Sequence, residues 1–174
     1  MLACWTVLLP LSVHAQSLLG PEYQVKAAFI YNFAKFVEFP RGTFDNATDP
    51  IVFCIVPDDP ATDVFNALEG KTVGGRKIIV RKYAVPKDTE GCHIVFCATQ
   101  NSRLVQDLLD ALNGRSVLTV GETEGFTRRG GIINFFAERE RLRFKVNPAA
   151  AKRAGLKLGS QVLMSAEIIK EEQK

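Results

Sequence analysis

Histidine and tryptophan are nearly missing from this chain: its 174 residues include two histidines and one tryptophan. Metal centres built from several histidines are thereby excluded, and no H-E-x-x-H pattern occurs. Also missing are the G-x-S-x-G elbow of many hydrolases, the G-x-G-x-x-G dinucleotide loop and the P-loop pattern. No cofactor and no catalytic residue is therefore expected. Charge of one sign is not in excess either. Lys and Arg number 22 against 19 Asp and Glu, and the two signs are interspersed, so a net charge of +3 is too small for a nucleic-acid-binding field. Long apolar runs are lacking as well. The most apolar candidate beyond the N-terminus, Tyr23 to Phe39, is interrupted by Lys26, Asn32, Lys35 and Glu38, which a membrane span of ~20 apolar residues would not tolerate.

What is present is an ordinary globular composition, 47% hydrophobic and 24% charged. A chain of this size buries roughly 70% of the surface its unfolded form exposes, enough for one core without metal or several disulfides. The N-terminus differs from the rest. Residues 1 to 15 carry no Lys, Arg, Asp or Glu, are apolar from Leu2 to Val13, and end in Val13-His14-Ala15, with small residues where a signal peptidase reads. They read as a cleaved export signal; an uncleaved N-terminal helix is the alternative. No basic residue precedes the apolar run, as would follow if the start codon were placed too far downstream. Cleavage would leave Gln16 first, and would remove Trp5, His14 and Cys4, making His93 the sole histidine of the mature chain.

Periodicity and punctuation then mark the elements. Pro21 opens and Pro40 closes a helical segment in which Val25, Phe29, Phe33, Phe36 and Val37 form one apolar stripe. Ile51 to Val56 is an unbroken apolar run, as in a strand covered on both faces. Asp59 is placed to cap a helix with Pro60 at its first position and Val64, Phe65 and Leu68 inward. Strands are predicted over Lys77 to Tyr83, His93 to Cys97 and Ser116 to Val120, with a helix from Ser102 carrying Leu104, Leu108, Leu109 and Leu112. Ile132 to Ala137 and Leu142 to Val146 read as a hairpin, and helices over about Pro148 to Ala154 and Ser160 to Lys170 close the chain. The pattern predicts a single α/β domain: a mixed, mainly parallel sheet flanked by helices, with a C-terminal β-hairpin and closing helices.

Three cysteines remain after export, Cys54, Cys92 and Cys97. If His93 to Cys97 is extended, Cys92 and Cys97 are roughly 16 Å apart, whereas a disulfide needs Cα atoms within about 7 Å. Their odd spacing also predicts opposite faces. Cys54 therefore takes Cys92 or Cys97, or all three stay reduced as small buried apolar groups. His93, one position from Cys92, could not activate it within a regular strand, and a structural or surface role suits it better. Asp58 and Asp59 end a presumed strand where α/β ligand sites occur, yet capping and turn formation account for both. Gly125, Gly130 and Gly131 suit tight turns rather than a phosphate loop. Arg128, Arg129, Arg139, Arg141 and Arg143 could gather as an anion site, but Glu138 and Glu140 among them favour a solvated, salt-bridged hairpin. Asn46-Ala47-Thr48 is formally a glycosylation sequon, a weak signal.

Several segments, in one order over nearly the whole mature chain, resemble the YfiR family of bacterial periplasmic regulators. They are the stretch Tyr23 to Phe36 with Pro40, Cys54 with Asp58-Asp59-Pro60, Gly75-Arg76, and Cys92-His93-Ile94-Val95-Phe96. Leu118-Thr119-Val120, Gly125-Phe126 with Gly130-Gly131, Arg143 to Asn147 and Ala154-Gly155-Leu156 continue the match. The resemblance implies one family domain over residues 22–170, a bridge between Cys54 and Cys92, and no enzyme activity. It further implies binding and repression of the periplasmic sensor part of an inner-membrane diguanylate cyclase, with lower cyclic-di-GMP and less biofilm. The family's tendency to self-associate is compatible with a homodimer. A second family disulfide has no counterpart, because Glu122 to Phe136 contains no Cys, and Cys97 is an addition to the pattern. The alternatives are a periplasmic small-ligand sensor serving a histidine kinase, or a periplasmic enzyme.

Overall fold

The computed structural model describes residues 19–169, so the expected export signal lies outside the described residues. Helix α1 (Leu19–Phe36) buries Tyr23, Lys26, Ala27, Ile30, Phe33 and Ala34, which recur at three- and four-residue steps. The predicted stripe is thus rotated: Phe33 and Val37 are buried and Phe29 partly so, but Val25 is 46% and Phe36 37% exposed. Apolar residues surround much of this helix, and the row through Tyr23, Ala27, Ile30 and Ala34 is the one that joins the core. The helix also stops short of Pro40. Val37–Glu38 extends as β1, and the Phe36 carbonyl accepts from the Gly159 N–H at 2.7 Å.

Strand β2 (Ile51–Val56) is buried at all six positions. Asp59 caps the following helical stretch, its Oδ1 accepting from the Ala61 N–H at 2.8 Å, although Pro60–Leu68 winds as a 3₁₀ helix. Then come β3 (Thr72–Val73) and β4 (Arg76–Lys82), joined through Gly74 and Gly75 at φ 57° and 84°, a turn that needs left-handed residues. β5 (Ile94–Cys97) leads to α2 (Ser102–Leu112), whose first turn is capped by Asn101 accepting from the N–H groups of Arg103 and Leu104. Val105, Leu108, Leu109 and Leu112 are its buried face; Leu104 is only partly covered. β6 (Leu118–Gly121), β7 (Ile133–Glu138) and β8 (Arg141–Val146) follow, the last two forming the expected hairpin with Arg139 and Glu140 at positive φ in its turn.

The chain closes with α3 (Pro148–Arg153), β9 (Lys157–Leu158), α4 (Ser160–Met164) and β10 (Glu167–Ile168). β9 pairs antiparallel with β1. The final helix is therefore shorter than predicted from Ser160 to Lys170. Beyond Met164 the backbone finds better partners in the sheet, where Glu167 and Ile168 pair with Lys145 and Val146. Pairing across the fold overrides helix propensity there.

Eight strands form one sheet in the order β10-β8-β7-β6-β5-β2-β4-β3. The run from β4 through β2, β5 and β6 to β7 is parallel, while β3 and β8 attach antiparallel and β10 parallel. The molecule is a single α/β domain with helices on both sides of a mainly parallel sheet. One core layer unites α1, α3 and α4 with Phe53, Phe96, Phe135 and Phe144; the other unites α2 with Cys54, Val95 and Phe126. Gly121 and Gly131 flank the fully buried Phe126, and a methyl group at either would overlap its ring. At the outer edge, Ile78 bonds the backbone of Gly70 and Lys71, and the Val80 N–H donates to the Glu69 carboxylate at 2.6 Å.

Candidate functional site

In an open parallel sheet, ligands and partners meet the carboxyl ends of the strands. Here β5, β6 and β7 end beside the first turns of α1, and a groove of about 190 Å³ is lined by Glu22, Tyr23, Lys26, Gln100, Glu122 and Phe136, among others. Its floor is ionic. Lys26, 4% exposed, reaches Glu122 Oε2 and Glu22 Oε1, both at 2.6 Å. Tyr23 Oη donates to Glu122 Oε1 at 3.2 Å. Burial first, and the Glu122 carboxylate second, push the Tyr23 phenol above its ordinary range, so it stays protonated as a donor. The arrangement ties the start of α1 to the end of β6 by charge-assisted bonds. The groove continues, in a further hollow of about 290 Å³, past Glu124, Arg128, Asn134 and Lys145.

Lys26 and Glu122 escaped the sequence reading because they are 96 positions apart. A signal existed, since Lys26 falls on the same helical row as Tyr23 and Ile30, and a cation on a buried row needs a partner.

The cysteines lie on the opposite side of the sheet, within the α2 layer. Cys54 and Cys92 are joined by a disulfide with Cα atoms 6.0 Å apart and a sequence separation of 38, and Cys97 is a free, buried thiol. Burial, then Glu122, push the Cys97 thiol up to about 12, which keeps it protonated and a poor nucleophile. Cys92 and Cys97 do not take opposite faces as spacing predicts: both belong to the α2 layer. Cys92 precedes β5 and its N–H bonds the Thr89 carbonyl at 3.3 Å, so strand alternation does not extend to it.

His93 is a bracket. Its Nδ1 accepts from the Val52 N–H at 3.0 Å, and its ring stacks on Phe44 at 4.6 Å and meets Phe39 edge-on. Arg76 covers the other side of this cluster, 3.8 Å from the Phe44 ring centre, with Nη1 donating to the carbonyls of Asn46 and Asp49. Burial holds the His93 pKa below its ordinary 6.5, Arg76 adds to that, and a backbone bond to Thr43 and the Asp49 charge oppose it. A depressed histidine pKa means that the unfolded chain binds more protons below pH 6.5. Stability is therefore expected to fall as pH drops below that value and to level off above it. Denaturant melts over this range should show the slope, and His93→Gln should flatten it.

The remaining candidates are not gathered into one place. Asp58 approaches Lys82 at 3.8 Å, and Asp59 serves as the helix cap. Arg143 pairs with Glu138 at 2.9 Å on the exposed hairpin, and Arg139 occupies its turn. Arg128 borders the carboxyl-end groove, while Arg129 turns away to Ser102. The Asn46 N–H is held by Asp49 Oδ2 at 2.7 Å. Among the described residues no helix is long and apolar enough to cross a membrane.

Fold and groove together define a single-domain α/β protein whose sheet ends in an ion-paired groove rather than a glycine-rich cofactor loop. Residues 23–167 match the model of the YfiR/HmsC-like family, and the chain belongs to that family. That family is one of periplasmic regulators acting in the diguanylate cyclase pathway. A solved structure described as a conserved domain protein from Vibrio cholerae O1 biovar El Tor shares the fold, with a TM-score of 0.54 and 13% identity. The match covers 85% of this chain and 60% of that one, so this chain spans less than two thirds of that protein. None of the curated proteins matches in sequence.

Proposed function

We propose that this protein is exported, carries out no catalysis, and binds and represses the periplasmic sensor part of an inner-membrane diguanylate cyclase. The observation that carries this reading is the family match over residues 23–167. Two features support it. Apolar side chains suited to a protein-protein contact stand in solvent on α1 and α4, where Val25, Phe36 and Met164 are 46%, 37% and 78% exposed. The single mature histidine is engaged in holding a loop, and the free thiol is kept protonated, so neither is poised as a base or nucleophile.

Deleting the gene in its host is expected to raise cyclic-di-GMP and surface attachment. Complementation with the full chain should reverse both, and a form lacking residues 1 to 15 should not, because it never reaches its partner. Complementation with His93→Gln should succeed, since no proton transfer is asked of that residue. Unchanged cyclic-di-GMP in the deletion strain would remove the cyclase reading, and an affinity pull-down of the mature protein from host membranes would then identify the sensor it serves. Turnover of a substrate, lost in His93→Gln, would overturn the non-enzyme reading itself.

A further inference from the structure

Strands β7 and β8 run on past the sheet that carries them. Pairing of β6 with β7 ends at Gly121 and Asn134, and β10 pairs with β8 only at Lys145 and Val146. Beyond those rungs Phe135 to Glu138 and Arg141 to Phe144 form a two-stranded arm, which among the described residues has no further strand on either side.

The two margins of the arm differ. On the β7 side the buried Asn134 closes the ladder, its Nδ2 donating to the carbonyls of Gly121 and Phe135 at 3.3 and 2.9 Å. The open margin is that of β8. In an antiparallel ladder, residues bonded to their opposite number alternate with residues whose main-chain groups point outward. The Asn147 N–H donates to the Ile132 carbonyl at 2.9 Å across the hairpin, and the Val146 carbonyl accepts from the Ile169 N–H at 2.8 Å on its outer side. Stepping by two from Val146, the outward residues are therefore Phe144 and Leu142. β10 serves Val146, and no described strand stands beside Leu142.

Side chains along this margin sort by face. Leu142 and Phe144 belong to the α1 layer, where the Phe144 ring lies 5.5 Å from that of Phe29. Arg141, Arg143 and Lys145 alternate with them on the other face. β10 shows what suits this row. Glu167 stands opposite Lys145 with its carboxylate 3.3 Å from Nζ, and Ile168 stands opposite Val146. Further along, Arg143 has only Glu138, in a pair whose side chains are both about half exposed, and Arg141 makes no ion pair among the described residues. A pair so exposed is worth little and is readily exchanged.

Charged residues on a short edge ordinarily guard it against annealing. Here the guard is one-sided. A second copy set against this margin about a twofold axis would bring its own cationic row opposite Arg141 and Arg143, because main-chain parity keeps like faces together, and like charges directly opposite are destabilising. A strand bearing carboxylates meets no such barrier.

We propose that the β8 margin from Arg141 to Phe144 receives an extended acidic segment of another protein, with carboxylates at alternate positions facing Arg141 and Arg143 and apolar residues between them beside Leu142. Such a segment continues the row that Glu167 and Ile168 begin. Four residues at strand rise give about 13 Å of ladder, so five or six residues of the partner fill it. The site rests on strand pairing and charge alone, and stands whether or not the partner is the cyclase sensor.

The test is NMR on the purified, isotope-labelled protein with a capped hexapeptide of alternating glutamate and valine. Saturable shifts are expected along β8. With the peptide at about ten times its Kd, exchange of the Leu142 and Phe144 amides should slow about tenfold, while the Arg141 and Arg143 amides, already turned toward β7, should not change. A peptide with lysine for glutamate should bind about tenfold or more weakly, and so should the original N-methylated at its two central amides, which leaves neither of its edges able to pair. Arg141→Glu with Arg143→Glu should reverse the preference and take the lysine peptide. If that variant does not fold, the two altered peptides still decide the matter on the wild type. Shifts that never saturate or scatter over the basic surface, equal binding of either altered peptide, or a folded double variant that still prefers glutamate would each overturn the proposal.

Discussion

Cys92→Ser is expected to lower the melting temperature of the oxidised protein by about 10 °C or more. The Cys54–Cys92 bridge closes 38 positions, and chain entropy then gives about 4 kcal/mol at room temperature, less any strain. For a domain of this size each kcal/mol is worth roughly 2–4 °C. Reducing agent should bring the wild type down to the level of the variant and leave the variant where it is. Cys97→Ala should cost much less, because it removes one sulfur from the α2 layer and opens no loop. Thermal melts with and without reductant decide the size of the effect, and non-reducing peptide mapping decides the pairing. A peptide joining Cys54 to Cys97 would refute it, although Cys97 stands beside Val56 in the β2–β5 register, two residues along from Cys54.

The second large effect belongs to Lys26. Lys26→Met should destabilise by about 3–5 kcal/mol, because it leaves Glu122, with 11% of its side chain exposed, facing Glu22 without a cation between them. Most of that cost is the stranded carboxylate and not the lost pair. The double variant Lys26→Met with Glu122→Gln should therefore recover much of the loss, since replacing both charged partners of a buried pair is often close to neutral. Glu22→Gln should cost only about 0.3–0.5 kcal/mol, as Glu22 is half exposed and pairs one helical turn away. Urea unfolding of the wild type, Lys26→Met, Glu122→Gln and the double variant closes the cycle. A double variant as unstable as the Lys26 single variant would show that the lysine acts through packing of its stem, and not through its charge.

How far the chain could be read beforehand depended on the reach of each interaction. The caps at Asp59 and Asn101, the apolar run of β2 and the hairpin around Arg139 and Glu140 all rest on neighbours within a few positions, and the α/β architecture was legible from them. The elements that differed are made by distant partners. β1 exists because β9 comes alongside it, and the last helix yields to β10 because β8 offers it an edge. The same holds for the carboxyl-end groove, whose lysine and glutamate are brought together only by the fold. Cys92 shows a smaller failure of the same kind. Alternation governs β5, but a residue just outside the strand takes its direction from the turn at Thr89.

The carboxylate of Glu69 at the rim of β4 has a consequence for how this protein can join another. A neighbouring chain that tried to lengthen the sheet on that side would find Ile78 already bonded and would have to displace a charged acceptor from Val80. The opposite rim is only partly covered: the two-residue strand β10 pairs with Lys145 and Val146, and among the described residues Arg141 to Phe144 of β8 have a strand on the β7 side alone. Main-chain annealing is therefore discouraged along the β4 margin, and a complex formed there must be built on side-chain faces and can be released without unzipping a sheet.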